Sequence, residues 1–426
     1  MTHQEKARDL LRRWKGDRFA FGMGALSQAG ALCARLGKTA LIIAKSGSAT
    51  PVAEAVADLL SCAGIRIAGG SIVEGARPNA PREDVYRIET HILHRRPEMI
   101  VAVGGGSNID ACKAANALAA VGWKTPELDA YFGTGLVKQA ILEVRRAPLP
   151  LFAVQTAASS AAHLTKYANV TDPATWQKKL IIDEAIVPPV AVFDYETTLS
   201  APPSLTREGV LDTLAHTFES FCGAKGGSYA LEEEIAVTAI SLLAQYAPRL
   251  AQDPGDREAR EAVGLASDLG GYAIMAGGTS GAHLNSFSLV DIASHGTACG
   301  ILNPYYAVFY GSAIARQLRT VGAIFAAHGF LDQDPSGLEG RALSCAVARA
   351  MMAFNQAIGA PVTLGELPGF SSAHIERCLS AAKDPQLRVK LQNMPVAMTP
   401  GDVDEYMRPV LEAAAMGVFD GIREKE

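Results

Sequence analysis

The chain lacks the features that several broad protein classes need. None of its 426 residues fall in an uninterrupted apolar run approaching the roughly 18 residues of a membrane-crossing helix, so no membrane partner is expected. There is no basic excess either. A net charge of -5 and a pI near 6.0 give no positive field for nucleic acid, which leaves a small molecule as the expected partner. The opening segment, Met1 to Gly24, is rich in Lys, Arg, Asp and Glu and has no apolar stretch of the roughly 7 to 15 residues found in a secretory leader. Seven cysteines, at 33, 62, 112, 222, 299, 345 and 378, form no CxxC pair, a pattern that suits free thiols in a reducing cytoplasm. Repeats and low-complexity tracts are missing as well.

What is present is a globular composition, 49% hydrophobic and 19% charged, in a chain long enough for two domains. In the first half short apolar runs alternate with helical patterns. Thr39–Ala44, Met99–Val103, Leu149–Val154 and Val190–Phe193 read as strands, with helical periodicity over Ala53–Ala63 between the first two. Such alternation predicts an α/β Rossmann-like N-terminal domain with a mostly parallel sheet. After Asp194 long Ala- and Leu-rich patterns take over, and these predict an all-α C-terminal domain. The expected boundary lies near Tyr195 to Pro203, giving domains of 1–196 and 197–426.

Two groups of residues carry the chemistry. Gly104, Gly105, Gly106 and Ser107 follow a strand and open a helix, where backbone amides can face an anion with no Cβ in the way; a tight strand-to-helix turn would use the same residues. Asp110 and Lys113 follow on the same helix, and Phe21-Gly-Met-Gly24 loosely matches a dinucleotide fingerprint. In the second half Asp212 and His216 stand four apart, on one helix face, and His283 and His295 lie downstream in apolar, Gly-flanked settings. One Asp and three His suit Fe(II) or Zn(II) with a position left open for substrate; a surface ion pair with two core histidines is the plainer alternative.

With these motifs in this order the chain resembles the iron-containing (group III) alcohol dehydrogenase family, whose relatives include glycerol dehydrogenase and dehydroquinate synthase. The match runs from FGMG through GGGSNIDACK, VFDYETTLSAPPSLTREGVLDTLAHTFES and SHGTACGILNPY to Asn393–Thr399. The resemblance implies that Gly105, Gly106 and Ser107 hold a cofactor pyrophosphate with Gly104, Asp110 and Lys113 beside it. It also implies that Asp212, His216, His283 and His295 hold the metal, His283 and His295 counting among the catalytic residues, and that the protein forms a homodimer.

The chain departs from the family in three places. A TTAGTGSE-like segment is replaced by QTAASSAAH at 155–163, where Thr156, Ser159 and Ser160 keep hydroxyls toward the cofactor. A histidine usual four residues after the third ligand is Phe287, which makes His163 the candidate substitute in a proton relay. The stretch from His283 to His295 is two residues shorter than in typical members. Within Ile43–Ser48, Lys45 and Ser46 stand where an Asp would accept from the ribose 2′-OH and repel a 2′-phosphate; a cation and a donor favour NADP over NAD. The expected activity is metal-dependent hydride transfer between an alcohol or aldehyde carbon and nicotinamide C4, in a cleft between the domains. Two further readings are a dehydroquinate synthase-like lyase, disfavoured because Gly270–Gly300 has no Lys or Arg for an anionic substrate, and a nucleotide-binding homologue that has lost turnover.

Overall fold

The computed structural model describes residues 1–47 and 49–425; Ser48, the end of the stretch read for cofactor choice, lies outside them. The chain divides into two units, one running from Leu11 to Pro202 and the other formed by Met1–Leu10 with Pro203 onward. The first ten residues therefore pack with the second unit.

The first unit contains β1 (Phe19–Gly22), β2 (Thr39–Ala44), β3 (Arg66–Ile67), β4 (Val73–Glu74), β5 (Met99–Gly104), β6 (Gly133–Thr134), β7 (Leu151–Gln155), β8 (Tyr167–Asp172), β9 (Gln177–Ile182) and β10 (Val190–Asp194). Seven of these form a parallel sheet in the order β1-β10-β7-β5-β2-β3, with β4 also paired to β2. β2 and β5 are buried at every position, which is why they read as continuous apolar runs instead of alternating ones. The four expected strands are present within two residues of their expected ends. β1, the two-residue strands and the β8–β9 hairpin of the smaller sheet were not expected; the hairpin's Gln177-Lys-Lys has no apolar run to announce it.

From β2 the chain runs out to β3 and β4 on one side and returns to β5 on the other. The carboxyl ends of β2 and β5 therefore flank a topological switch point, where open α/β sheets bind ligands.

The second unit has no strand among its described residues. Its central helix, Pro203–Gly223, begins on a proline that needs no amide partner and is buried continuously from Gly209 to Cys222. That burial takes Asp212, His216 and Glu219 out of water, so each must find a partner within the protein or in a ligand. Helices Tyr229–Gln252, Arg257–Ala276 and His295–Tyr310 pack around it. No helix of the described residues is long and apolar enough to cross a membrane.

Candidate functional site

The loops at the carboxyl ends of β2, β5 and β7 are neighbours, since those three strands are adjacent in the sheet. This brings together Lys45 and Ser46, Gly104 to Ser107, and Thr156. The Thr156 amide donates to Gly104 O at 3.1 Å. Gly104 has φ 152°, a value that favours glycine, and at Gly106 a Cβ would stand 2.4 Å from Ser160 Oγ. The loop after β7 is thus one reason for the missing side chains, independent of any anion.

The polar residues of this region are largely engaged by the fold. The Asn79 amide donates to Ser107 Oγ at 3.0 Å. Asp110, buried, accepts from the Asn169 backbone and side-chain amides at 3.0 and 3.1 Å. Lys113 Nζ donates to Thr165 O and Tyr167 O at 2.8 and 2.9 Å and lies 3.9 Å from Asp110. Burial pulls the Lys113 ammonium down to about 8 against the pull of Asp110. Asp110 and Lys113 therefore fasten the helix Gly106–Val121 to β8. Lys45 is exposed, whereas Ser46 is tied through its amide and hydroxyl to Glu74.

Asn108 and Glu74 were not singled out from the sequence. Asn108 is buried at the switch point, donating to Ile43 O and Val103 O and accepting from the Ala76 amide, so it clasps the ends of β2 and β5. His163 takes a different place from the one expected. Its ring is fully buried, 5.2 Å from Phe19 and 5.6 Å from Phe193, which makes it a packed core residue instead of an accessible proton carrier.

In the helical unit the four expected ligand residues do converge. Nε2 of His216, His283 and His295 lie 3.5, 3.6 and 3.6 Å from the single oxygen Oδ1 of Asp212. Asp212 and His216 come from the helix Pro203–Gly223, His283 from Gly281–Ser286 and His295 from the first position of His295–Tyr310. The short His283-to-His295 connection has not displaced either residue. Close approach of the helices depends on two glycines: a Cβ at Gly296 would fall 2.0 Å from Glu208 O, and one at Gly300 2.7 Å from the Leu211 side chain.

Hydrogen bonds fix the rings. His283 Nδ1 donates to Glu219 Oε1 at 2.6 Å. Ser286 Oγ gives its proton to His283 O at 2.8 Å, so it accepts from His295 Nδ1 at 3.0 Å. In both rings Nε2 is left facing Asp212, the placement of metal-ligating histidines held by a carboxylate or hydroxyl behind them. Burial would lower the His283 imidazole, but Cys299, Glu219 and Asp212 outweigh it and hold it well above its ordinary range. Burial pushes the Asp212 carboxyl up, but His216 and the other two imidazoles outweigh it and hold it well below the usual carboxylate range. Burial keeps the His216 imidazole neutral down to about 4. Glu219 is likewise held low by His283 against its burial.

The site thus holds two ionised, buried carboxylates. Asp212 Oδ1 and His283 Nε2, both buried, have no hydrogen-bond partner. An orphaned carboxylate oxygen faced by three imidazole Nε2 atoms is what a divalent cation satisfies, displacing any Nε2 proton, so the residues fit such an ion.

Glu219 and Lys390 belong to this surrounding and were missed. Glu219 stands seven residues after Asp212 on the same helix face, a spacing that was available as a signal. Lys390 had none: it arrives from a distant segment, its buried ammonium donating to Thr279 Oγ1 and lying 5.6 Å from the Phe287 ring centre. Burial brings it down to about 8, opposed by Glu219. The absence of Lys and Arg from Gly270–Gly300 therefore does not leave this region without a cation.

Two family models match, "Iron-containing alcohol dehydrogenase" over residues 17–195 and "Fe-containing alcohol dehydrogenase family, C-terminal" over 206–408. The chain belongs to the iron-containing alcohol dehydrogenase family. It is 27% identical over 394 residues to the NAD-dependent methanol dehydrogenase of Bacillus methanolicus, covering 92% of this chain and 97% of that one. It is also 27% identical over 313 residues to the NADPH-dependent butanol dehydrogenase of Clostridium saccharobutylicum, covering 71% and 76%. The crystal structure of an archaeal halo-thermophilic Red Sea brine pool alcohol dehydrogenase shares the fold, with a TM-score of 0.79 at 21% identity over 93% of this chain and 96% of that one. Membership makes this iron-containing alcohol dehydrogenase an oxidoreductase that uses a metal and a nicotinamide cofactor.

Proposed function

We propose that the chain interconverts a small alcohol and its aldehyde, with NADP as the preferred hydride carrier and Fe(II) or Zn(II) held by Asp212, His216, His283 and His295. The observation that carries this reading is the convergence of three imidazole Nε2 atoms on one unpartnered Asp212 oxygen at 3.5 to 3.6 Å. A divalent metal bound there supplies the Lewis acidity that favours alkoxide over alcohol in one direction and polarises a carbonyl in the other. Glu219 and Ser286 orient His283 and His295 and hold their protons on Nδ1. Phe287, 2% exposed and against the His295 ring, keeps water from that side of the cluster.

On the nucleotide side, the amides of Gly105, Gly106 and Ser107 at the helix start are assigned to the pyrophosphate, and the hydroxyls of Thr156, Ser159 and Ser160 to the neighbouring edge. Lys45 is assigned to a 2′-phosphate, Glu74 being already occupied by Ser46. The protein is proposed to work as a homodimer in the cytoplasm; all seven cysteines are free thiols, in keeping with a reducing compartment.

The test is metal reconstitution followed by NAD(P)H oxidation with an aldehyde panel. Turnover that requires added Fe or Zn is expected, and none with any aldehyde after metal loading would sink the proposal. Lys45→Asp should move the NADP-to-NAD ratio of kcat/KM toward NAD by roughly tenfold or more, about 1.4 kcal/mol; an unchanged ratio would remove Lys45 from cofactor choice.

A further inference from the structure

His295 opens a helix, and the residue one turn on, on the same face, is Cys299. Its side chain is fully buried. One donor atom from each of Asp212, His283, His295 and Cys299 lies within 4.8 Å of every other, and no other cysteine of the described residues joins such a group. His216 is not one of these four; it reaches Asp212 from its own position four residues along the central helix.

Metal bonds of about 2.0–2.2 Å to nitrogen or oxygen and about 2.3 Å to sulfur put the donors of a tetrahedral ion roughly 3.3–3.7 Å apart. The 3.6 Å separations of Asp212 Oδ1 from His283 Nε2 and His295 Nε2 already match this, and the widest pair of the four has to close by about 1 Å. Two of the three partners carry unpartnered buried atoms, Asp212 Oδ1 and His283 Nε2, and Cys299 stands beside these.

We propose that Cys299 Sγ is a further donor to the metal of this centre, converting an all-nitrogen-and-oxygen site into one with a sulfur ligand. The inference rests on the proposed metal centre and deepens it. As the metal–sulfur bond forms, the thiol proton leaves to solvent and the sulfur remains as thiolate, with no change of oxidation state. A soft donor shifts the centre toward zinc or cobalt and away from iron, and it exposes the ion to loss when the sulfur is oxidised to a sulfenic or sulfinic acid by peroxide.

Cobalt(II) reports this directly. The full chain is stripped with chelator, loaded with Co(II), and its bound cobalt and absorption spectrum are measured. One cobalt per chain with a sulfur-to-cobalt charge-transfer band in the near ultraviolet is expected, with the band lost in Cys299→Ser and Cys299→Ala and kept in Cys33→Ser. One cobalt per chain with visible ligand-field bands and no charge-transfer band overturns the sulfur ligand and leaves the metal centre standing. A band that survives in Cys299→Ser also overturns it. Failure to bind cobalt overturns the centre and the inference together. X-ray absorption of the zinc-loaded wild type covers the case in which both variants misfold: a sulfur shell near 2.3 Å is expected, and nitrogen and oxygen scatterers alone would refute it.

Discussion

The loops around Gly104–Ser107 and the cluster around Asp212 differ in what their polar side chains do. Around Gly104–Ser107 most side-chain atoms are occupied: Ser107 by Asn79, Asp110 Oδ2 by Asn169, Lys113 by two carbonyls, and Asn108 by three backbone groups, with Asp110 Oδ1 buried and unpartnered 3.9 Å from the Lys113 ammonium. What remains for a cofactor is mainly backbone. Around Asp212 the rings of His283 and His295 are held from behind, while Asp212 Oδ1, His283 Nε2 and the outer His216 Nδ1 have no partner. A motif residue can be spent on the fold, and the better mark of a ligand is an unsatisfied buried atom with other donor atoms converging on it.

The strongest way to break this contrast is Asp212→Ala. It should strip the metal and lower turnover by at least about 10³-fold, since the ion contributes several kcal/mol, while nucleotide binding followed by NADPH fluorescence stays within twofold. A weakened nucleotide site would show that the two regions are not independent.

Glu232 tests the rule itself. It is fully buried and neither carboxylate oxygen has a hydrogen-bond partner, yet no cluster of metal donors among the described residues includes it. Burial pushes its carboxyl up to about 8. The folded protein therefore keeps a proton that the unfolded chain has released above about 4.5, and the stability this proton contributes is complete below pH 4.5 and lost as pH rises to about 8. The slope is about 1.4 kcal/mol per pH unit and the total roughly 3–5 kcal/mol. Denaturant titrations at pH 5 and pH 8 should show the loss in the wild type and a flatter profile in Glu232→Gln; parallel profiles would refute the assignment.

Glu219→Gln comes next, with metal affinity expected to fall by roughly 10- to 100-fold as His283 loses its charged anchor. Competition with a chelator of known affinity measures it, and an unchanged affinity would remove Glu219 from the centre. The smallest effect is Asn108→Ala, which leaves Ile43 O, Val103 O and the Ala76 amide without their partner. It should destabilise the α/β unit by about 1–3 kcal/mol in urea without changing bound metal.

Much of this was legible in the chain. Apolar runs announced β2, β5, β7 and β10 because these strands are buried on both faces, and the four-residue step from Asp212 to His216 placed both on one helix face. That pairing was readable because helical spacing is local; His283 and His295 lie on two other helices, and only their Gly-flanked settings and the family resemblance pointed to them. Lys390 was not, since only tertiary packing brings it to Phe287, nor was the burial of His163, which depends on Phe19 and Phe193 from strands far away in sequence. The roles of Asp110 and Lys113 were obscured by the β8–β9 hairpin, whose polar sequence hid the strand to which both residues bind.

The glycines at 296 and 300 carry one more consequence. Each removes a side chain where the His295 helix packs against the Asp212 helix, and a single methyl group at 296 would drive into a backbone carbonyl. The dimensions of the cluster are thus set by clearance: the same Asp and His residues on helices held one carbon atom further apart would bring donors of the right kind to a gap too wide for one ion.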